Sequence, residues 1–292
     1  MKKDFLSISD LNKEEILDIL ELAEKIKKSP KDYSNSLSGK TLVMFFEKPS
    51  TRTRLSFEIA MTQLGGHAIF FSRDSHFLAT GEDIFDTAKV ISRYADFLMA
   101  RVYSHETLLK FAKYCDIPVI NGLSDLEHPC QALTDLYTIK QKKKNFNGLK
   151  IVFLGDGANN TFHSLILLCE QFGMDIVVSC HPNYKPKIKA NYELIENPKE
   201  AIKDTDIAYV DTFVSMGQES EKEKRLMELR KYQLNKSLLR GAKKDFIVMH
   251  PLPAHREIEI TNDVIDGKNS VVFAQAENRL HVQKALLYYL SK

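Results

Sequence analysis

The chain has 292 residues, of which 43% are hydrophobic and 27% charged, and its formal net charge at pH 7 is only +2. This balance argues against a nucleic-acid or membrane surface as the main partner, although it leaves room for a local basic pocket. The length is typical of two domains, each able to bury its own core.

The N-terminal residues and the cysteines favour a cytoplasmic location. Residues 1–5 include an acid and lead into a helical pattern rather than into the apolar core of a signal sequence. No apolar run approaches the length of a membrane span. The four cysteines show neither CxxC spacing nor a disulfide framework, so we expect buried thiols in a reducing compartment: Cys115, Cys130, Cys169 and Cys180.

The first half of the chain alternates short apolar runs with helical patterns. An N-terminal helix begins near Asn12 and ends before Pro30. Strands are then predicted at 41–46, 67–71, 97–101 and 118–121, and helices at 55–64, 84–91 and 106–112. This alternation is typical of a parallel sheet covered by helices on both faces.

The second half repeats the alternation after a long helix, from Gln131 to about Lys142, and a basic segment, 142–148. Strands are predicted at 150–154, 175–179, 207–210, 246–249 and 270–273, and a helix at 280–290. We therefore predict an α/β protein of two domains, each a parallel sheet flanked by helices, with the active site in the cleft between them. The predicted domains are residues 1–140 and 141–275, and the C-terminal segment 276–292 is expected to pack on the first.

The most informative segment is Ser50-Thr51-Arg52-Thr53-Arg54, between the strand at 41–46 and the helix at 55–64. The N-terminus of a helix presents free backbone N–H groups and the positive end of the helix dipole, so anions bind there. Arginine adds a forked donor that matches phosphate oxygens. A helix cap with two solvated arginines is the simpler alternative. Three hydroxyls and two arginines exceed what a cap needs, and they favour phosphate binding.

Other polar residues also follow predicted strands, where open parallel sheets bind ligands. Arg101 ends the third strand, and the segment 155–160 follows the first strand of the second half. Further along, 211–217 and 250–253 follow the strands at 207–210 and 246–249. Both halves therefore offer polar edges that could face one ligand.

The Gly155-Asp156-Gly157 segment suggests a dinucleotide site, but the pattern is incomplete. Asn160 occupies the third glycine position, and the next strand ends in Ser-Cys-His instead of the acid that would hold a ribose. A dehydrogenase is therefore a remote alternative, and we predict no cofactor. Nor does any group of His, Cys, Asp and Glu have metal-ligand spacing, so we predict no metal.

His128 and Cys130 lie at the start of the long helix. Taken alone, His128 is typical of a satisfied surface histidine. A cysteine near a histidine also suggests a thiol nucleophile. We disfavour that interpretation for Cys130, because no known local signature of such a nucleophile surrounds it.

Taken together and in order, these motifs resemble those of the aspartate/ornithine carbamoyltransferase family over nearly the whole chain. The segment 50–54 matches the phosphate-binding STRTR of the family, Arg101 matches a strand-end arginine, and 128–131 matches HPxQ. The second half is similar to the ornithine-specific branch. There, 211–217 resembles the DxWxSMG loop, and Asn160, 253–256 and 276–281 resemble further segments of that branch.

The resemblance implies transfer of a carbamoyl group from carbamoyl phosphate to the side-chain amine of ornithine, without a covalent enzyme intermediate. The implied phosphate ligands are Ser50, Thr51, Arg52, Thr53 and Arg101. The residues implied to polarise the carbonyl are Thr53, Arg101 and His128. Those implied to hold or support the carbamoyl group are Gln131, the Leu252 carbonyl and Arg279. The implied ornithine ligands are Asn160, Asp211, Ser215 and Met216. A homotrimer, or a multiple of trimers, is implied as well.

Three positions depart from the ornithine pattern. Pro251, expected at an exposed edge, gives HPLP as in aspartate enzymes, where ornithine enzymes carry HCLP. Phe213 replaces the loop tryptophan, and Phe77 stands where a glutamine usually reaches a neighbouring subunit. Aspartate therefore stays open as the acceptor, as do putrescine and an acylated ornithine. A non-enzymatic anion-binding protein is disfavoured, because binding alone would not need a carbonyl-polarising group such as His128.

Overall fold

The computed structural model describes residues 2–72, 81–215 and 217–292, except for the side chain of Glu219. These residues form two compact units. The first comprises Met1–Tyr137 and Asn278–Lys292, and the second comprises Thr138–Glu277.

The first unit contains a four-stranded parallel sheet with helices between its strands. Its elements in chain order are α1 (Lys13–Lys28), β1 (Thr41–Phe46), α2 (Thr51–Gln63), β2 (His67–Ser72), α3 (Ile84–Tyr94), β3 (Phe97–Arg101), α4 (His105–Tyr114), β4 (Val119–Leu123) and α5 (Pro129–Lys143). The strand order is β2-β1-β3-β4. The helix α5 continues across the division between the units.

The second unit contains a five-stranded parallel sheet. Its elements are β5 (Lys150–Gly155), α6 (Asn160–Phe172), β6 (Asp175–Cys180), β7 (Glu193–Leu194), α7 (Pro198–Ala201), β8 (Ile207–Val210), α8 (Lys222–Leu229), β9 (Ile247–Met249) and α9 (Asn262–Ile265). The last helix, α10 (Val272–Leu290), begins in this unit and continues into the first unit from Asn278. The strand order is β7-β6-β5-β8-β9. The predicted architecture of two α/β units is confirmed.

In each sheet the chain reverses its direction of winding at the first strand, and this reversal determines where the polar loops lie. In the first unit, β2 and β3 pair with opposite edges of β1, and Phe46 at the end of β1 lies opposite Arg101. In the second, β6 and β8 pair with opposite edges of β5. Ligands of open parallel sheets bind at such switch points, outside the carboxyl ends of the strands. The candidate sites lie beyond β1 and β3 and beyond β5 and β8.

The strands form because their apolar runs are buried. All residues of β3 and of β8 are buried, as is typical of the central strands of a parallel sheet. The chain turns at Gly65, two residues after the end of α2, with a φ of +83°. A Cβ at Gly65 would lie 2.6 Å from the Ser34 carbonyl oxygen, so glycine is required there.

One predicted strand is wrong, and one short strand was not predicted. The segment 270–273 makes only a single bridge, between Ser270 and Val248, before the chain enters α10 at Val272. Its apolar run belongs mainly to the first turn of a buried helix, and short apolar runs do not distinguish strand from helix. The two-residue strand β7 has both residues exposed, so it carries no apolar signal.

None of the described helices is both long and apolar enough to cross a membrane.

Candidate active site

The loop between β1 and α2 presents the N-terminus of α2 beside the end of β3. Ser50 is the N-cap, and its side chain accepts a hydrogen bond from the Thr53 backbone N–H at 3.3 Å. The Glu47 backbone N–H donates to the Arg101 carbonyl at 2.9 Å, which ties the loop to β3. Ser50 therefore caps the helix, as the simpler alternative required, while the same helix end stays available to an anion.

The two arginines of the motif have different surroundings. Arg54 is exposed, pairs with Glu58 at 3.2 Å and lies over the Phe70 ring at 3.9 Å. Arg52 is half-buried, and its charge acts on Arg101. The solvated-arginine alternative therefore describes Arg54, whereas Arg52 belongs to the cationic cluster.

A buried hydrogen-bond network joins α2, α5 and α10. Arg279 donates through Nη2 to Thr53 Oγ1 at 3.0 Å and through Nη1 to Gln131 Oε1. Gln131 in turn donates through Nε2 to Asp135 Oδ1 at 2.9 Å. Each of these four side chains is at least 96% buried. Residues far apart in sequence thus meet at the N-terminus of α2.

Positive charge is concentrated in this unit. Burial lowers the pKa of Arg101 to about 9, and the charges of Arg279 and Arg52 contribute. Within the described residues, Arg101 Nε has no hydrogen-bond partner although it is buried. A doubly charged anion would offset this repulsion and accept from such donors, because charge-assisted bonds to arginine are strong.

His128 is buried, so the surface interpretation is wrong. Burial and the charges of Arg279 and Arg101 hold its pKa well below the usual range of a histidine. His128 is therefore neutral at physiological pH. The one ring N–H group of the neutral imidazole can donate a hydrogen bond to a carbonyl oxygen.

We expect Cys130→Ser to retain activity within about threefold, because a group outside the reaction contributes no transition-state stabilisation. The Cys130 thiol is buried and donates to the Asn121 carbonyl at 3.4 Å, and burial raises its pKa to about 12. A nucleophilic cysteine needs the opposite shift. Steady-state kinetics check this expectation, and a loss beyond 1,000-fold, roughly that of a missing nucleophile, would restore the thiol mechanism.

In the second unit, Asn159 links the loops after β5 and β8. Its Oδ1 accepts from the Thr161 and Phe162 backbone N–H groups and caps α6, while its Nδ2 donates to Asp211 Oδ2 at 3.1 Å. Asn160 is the first residue of α6. Asn159 caps the helix, and Asn160 follows it on the first turn.

Asp211 is a buried carboxylate at the end of β8. Its Oδ1 accepts from the Thr212 backbone N–H at 2.7 Å. Burial raises its pKa, and the nearby His250 opposes part of that shift. A carboxylate with a raised pKa accepts a proton more readily than an ordinary one.

The loop from Asp211 to Ser215 is held at two points. The Phe213 ring covers Gly155, where an added Cβ would lie 2.7 Å from Phe213 Cε1 and where φ is +112°. The Phe213 carbonyl accepts from Arg225 Nε at 3.0 Å. Arg225 also pairs with the buried Asp156. Arg225 therefore connects the loop after β8 to the loop after β5.

The segment 250–253 is fixed by a buried histidine and a buried glutamate. His250 Nδ1 accepts from the Leu252 backbone N–H at 2.9 Å, so the ring proton lies on Nε2, 3.3 Å from Glu259 Oε1. Leu252 has a φ of +59°. Pro251 is buried rather than exposed as predicted, because its neighbour His250 turns inward.

Two residues named from the sequence, Met216 and Phe77, lie outside the described residues. Conversely, sequence reasoning gave no role to Asp135, Arg225 or Glu259. Arg225 lies in the run Lys222-Glu223-Lys224-Arg225, which is typical of a solvated helix face. Only the fold brings such residues beside the loops.

The described part of the chain contains no group of three or more His, Cys, Asp or Glu side chains that could hold a metal ion.

The Gly155–Gly157 turn, where the sequence suggested a dinucleotide site, is packed against other residues of the protein. Asp156 pairs with Arg225, and a Cβ at Gly157 would lie 2.7 Å from the Tyr184 carbonyl oxygen.

Family models match both units. The model for the aspartate/ornithine carbamoyltransferase carbamoyl-P binding domain matches residues 3–141. The model for the Asp/Orn binding domain of the same family matches residues 147–290. This chain belongs to the aspartate/ornithine carbamoyltransferase family. The second match includes the segment 278–290, which lies in the first compact unit.

Relatives within this carbamoyltransferase family match over full length. The ornithine carbamoyltransferase of Methanosarcina acetivorans is 50% identical over 303 residues, covering 100% of both chains. The anabolic ornithine carbamoyltransferase of Pyrococcus furiosus is 49% identical, covering 98% of this chain and 95% of that protein. Among solved structures, the Campylobacter jejuni anabolic ornithine carbamoyltransferase has a TM-score of 0.93 and 42% identity, with 99% of each chain covered.

Proposed function

We propose that this carbamoyltransferase transfers the carbamoyl group of carbamoyl phosphate to the side-chain amine of L-ornithine, giving L-citrulline and phosphate in arginine biosynthesis. The observation that carries the proposal is the cluster of Arg52, Arg101 and Arg279 around the N-terminus of α2, next to a neutral His128. A site that only binds an anion would not need His128 as a neutral hydrogen-bond donor. The full-length similarity to ornithine carbamoyltransferases supports ornithine as the acceptor.

In this proposal the first unit holds carbamoyl phosphate. Ser50, Thr51, Arg52, Thr53 and Arg101 hold the phosphate, and His128, Arg101 and Thr53 donate to the carbonyl oxygen. The Gln131 side-chain oxygen accepts from the carbamoyl NH₂ group. Donors arranged in advance around a developing oxyanion contribute most when water is excluded, and no covalent intermediate is needed.

The second unit holds the acceptor in the same proposal. Asn160, Asp211, Ser215 and Met216 bind the α-amino and α-carboxylate groups of ornithine. The free δ-amine attacks the carbonyl carbon, the bond from that carbon to the phosphate oxygen breaks, and phosphate leaves. The amine loses one proton, either to Asp211, whose pKa is raised by burial, or to the departing phosphate.

Aspartate is the second candidate acceptor, since Pro251 gives the HPLP sequence of aspartate enzymes. Putrescine and acylated ornithine are further candidates. Carbamoyl phosphate is offered with each amine separately, and each carbamoylated product is quantified. We expect citrulline to form at least about 100 times faster than any other product. Efficient carbamoylation of aspartate would show that HPLP is the better guide to the acceptor.

We also propose a homotrimer. Leu55 and Ile59 lie one turn apart on α2 and are exposed, as is Ile69 on the edge strand β2, against which α2 packs. Exposed apolar side chains of this kind are typical of interfaces between subunits. A second copy of the chain is the occupant we propose.

We expect light scattering to give three times 33.4 kDa, or a multiple of that mass. The double variant Leu55→Glu and Ile59→Glu should shift the protein to monomers, because buried carboxylates without partners cost free energy. Phe273→Glu, at another exposed apolar residue, is the control and should leave the mass unchanged. A monomeric wild-type protein would contradict the proposal.

We propose a cytoplasmic location. The four cysteines, all free and buried, fit a reducing compartment.

A further inference from the structure

Asp135 is a fully buried carboxylate for which the mechanism above has no use. It lies one turn after Gln131 on α5 and has no exposed surface. Burying a carboxylate costs free energy unless hydrogen bonds compensate. Its Oδ1 accepts a hydrogen bond from Gln131 Nε2 at 2.9 Å.

The directions of the bonds in this network are fixed by chemistry. A guanidinium can only donate, so Gln131 Oε1 and Thr53 Oγ1 both accept from Arg279. The Gln131 NH₂ group can only donate, so Asp135 Oδ1 accepts from it. The two ends of the Gln131 amide are therefore assigned without ambiguity. The oxygen faces Arg279, and the nitrogen faces Asp135.

This orientation determines what the network offers to a ligand. The Gln131 oxygen has two lone pairs, of which Arg279 uses one, so the other can accept from an NH₂ group. The Thr53 oxygen accepts from Arg279, so its hydrogen can be donated to a carbonyl oxygen. Without the acceptor at Asp135, the Gln131 NH₂ group would lose this partner, and only the bond from Arg279 would hold the amide. The Gln131 oxygen would then be less firmly placed to accept from the carbamoyl NH₂ group.

We propose, on the basis of the function proposed above, that Asp135 is a positioning residue. It orients the Gln131 amide, and through Gln131 it holds Arg279 in the arrangement that recognises the carbamoyl half of carbamoyl phosphate. The phosphate half does not depend on Asp135, because the N-terminus of α2 and Arg52 hold it.

The test compares two ligands by calorimetry on Asp135→Leu, which has nearly the same shape but cannot accept a hydrogen bond. We expect the affinity for carbamoyl phosphate to fall at least about tenfold, the scale of one hydrogen bond. The affinity for inorganic phosphate should stay within about twofold, because both ligands share only the phosphate contacts. Asp135→Asn, whose oxygen can accept the same bond, should recover most of the loss.

A structural role alone predicts a different pattern. It would lower the affinities for both ligands equally, as would a general disruption of α5. Thr134→Val is the matched control, since Thr134 is also buried on α5 and its hydroxyl donates to the Cys130 carbonyl at 2.8 Å. We expect this control to lower the melting temperature without separating the two ligands.

A double-mutant cycle shows whether Asp135 acts through Gln131. Asp135→Leu in a Gln131→Ala background should cause no further loss of carbamoyl phosphate affinity, because coupled residues are non-additive. Additive losses, or equal losses of both ligands, would overturn the proposal. Should Asp135→Leu not fold, the same comparison is made with Asp135→Ser, whose hydroxyl is too short to reach Gln131.

The proposed acceptor is tested separately from this inference. If the wild-type protein binds carbamoyl phosphate but carbamoylates no ornithine, the acceptor assignment fails. The comparison of carbamoyl phosphate with phosphate still decides the role of Asp135.

Discussion

Replacing Arg52 by lysine is expected to lower kcat/KM for carbamoyl phosphate by roughly 100- to 1,000-fold, the range typical of losing one donor from a preorganised site. Lysine keeps the charge but loses the fork that binds two phosphate oxygens at once. Arg52 lies on the first turn of α2, where the backbone N–H groups and the helix dipole attract the same anion. Steady-state kinetics with ornithine in excess measure the effect.

Arg54→Lys is the matched control for this prediction. It makes the same substitution on the same helix, but Arg54 is exposed, pairs with Glu58 and stacks on Phe70. We expect kcat/KM to change by less than about threefold, since exposed ion pairs contribute little. If the two substitutions changed kcat/KM equally, Arg52 would not be a ligand of the phosphate.

Asp211→Asn is expected to reduce carbamoylation of ornithine by roughly 1,000-fold, within the range that general-base catalysis contributes. The amide cannot accept the amine proton. One of the two acceptor oxygens, which now bind the Thr212 N–H and Asn159 Nδ2, would also be lost. The affinity for carbamoyl phosphate should stay within about twofold. A variant with near-normal turnover would assign proton removal to the phosphate.

Asp206→Asn provides the matched control at the other end of β8. Asp206 is also buried, and its Oδ2 accepts from the Lys150 backbone N–H at 3.0 Å and pairs with Lys243. We expect this variant to lose stability without a specific change in KM for ornithine. Thermal denaturation and kinetics separate the two effects.

The pH dependence of the reaction has a predicted sign. Ornithine's side-chain amine resembles that of lysine, with a pKa of about 10.4 in water, so its free form becomes more abundant as pH rises. Burial raises the pKa of Asp211, so ionised Asp211 also becomes more abundant as pH rises. Both groups therefore predict that kcat/KM for ornithine increases from acidic to alkaline pH. A flat profile of kcat/KM against pH would contradict the prediction that the amine and Asp211 must both be deprotonated before the amine attacks.

The sequence was sufficient to predict the two parallel sheets, because buried parallel strands are continuous apolar runs. It failed at 270–273, where a run of the same kind starts a helix. The strand β7, Glu193–Leu194, could not be predicted, since it consists of two exposed residues whose pairing depends on β6.

The site was less accessible from the sequence than the fold. The loops were predicted because their polar residues follow strands. The side chains that hold these loops in place were not predicted. Asp135, Arg225 and Glu259 act through contacts with residues up to 69 positions away, as in the pairing of Arg225 with Asp156. Taken without the resemblance, His128 was interpreted as a surface histidine, because the sequence around it gives no sign of its burial.

Ornithine and aspartate at equal concentration compete for the enzyme in one tube with ¹³C-labelled carbamoyl phosphate. The ratio of the two labelled products, read by NMR, equals the ratio of the two kcat/KM values. We predict that labelled citrulline exceeds labelled carbamoyl-aspartate by at least about 100-fold, with one phosphate released per citrulline formed. An excess of carbamoyl-aspartate, or phosphate release without either product, would contradict ornithine carbamoyl transfer.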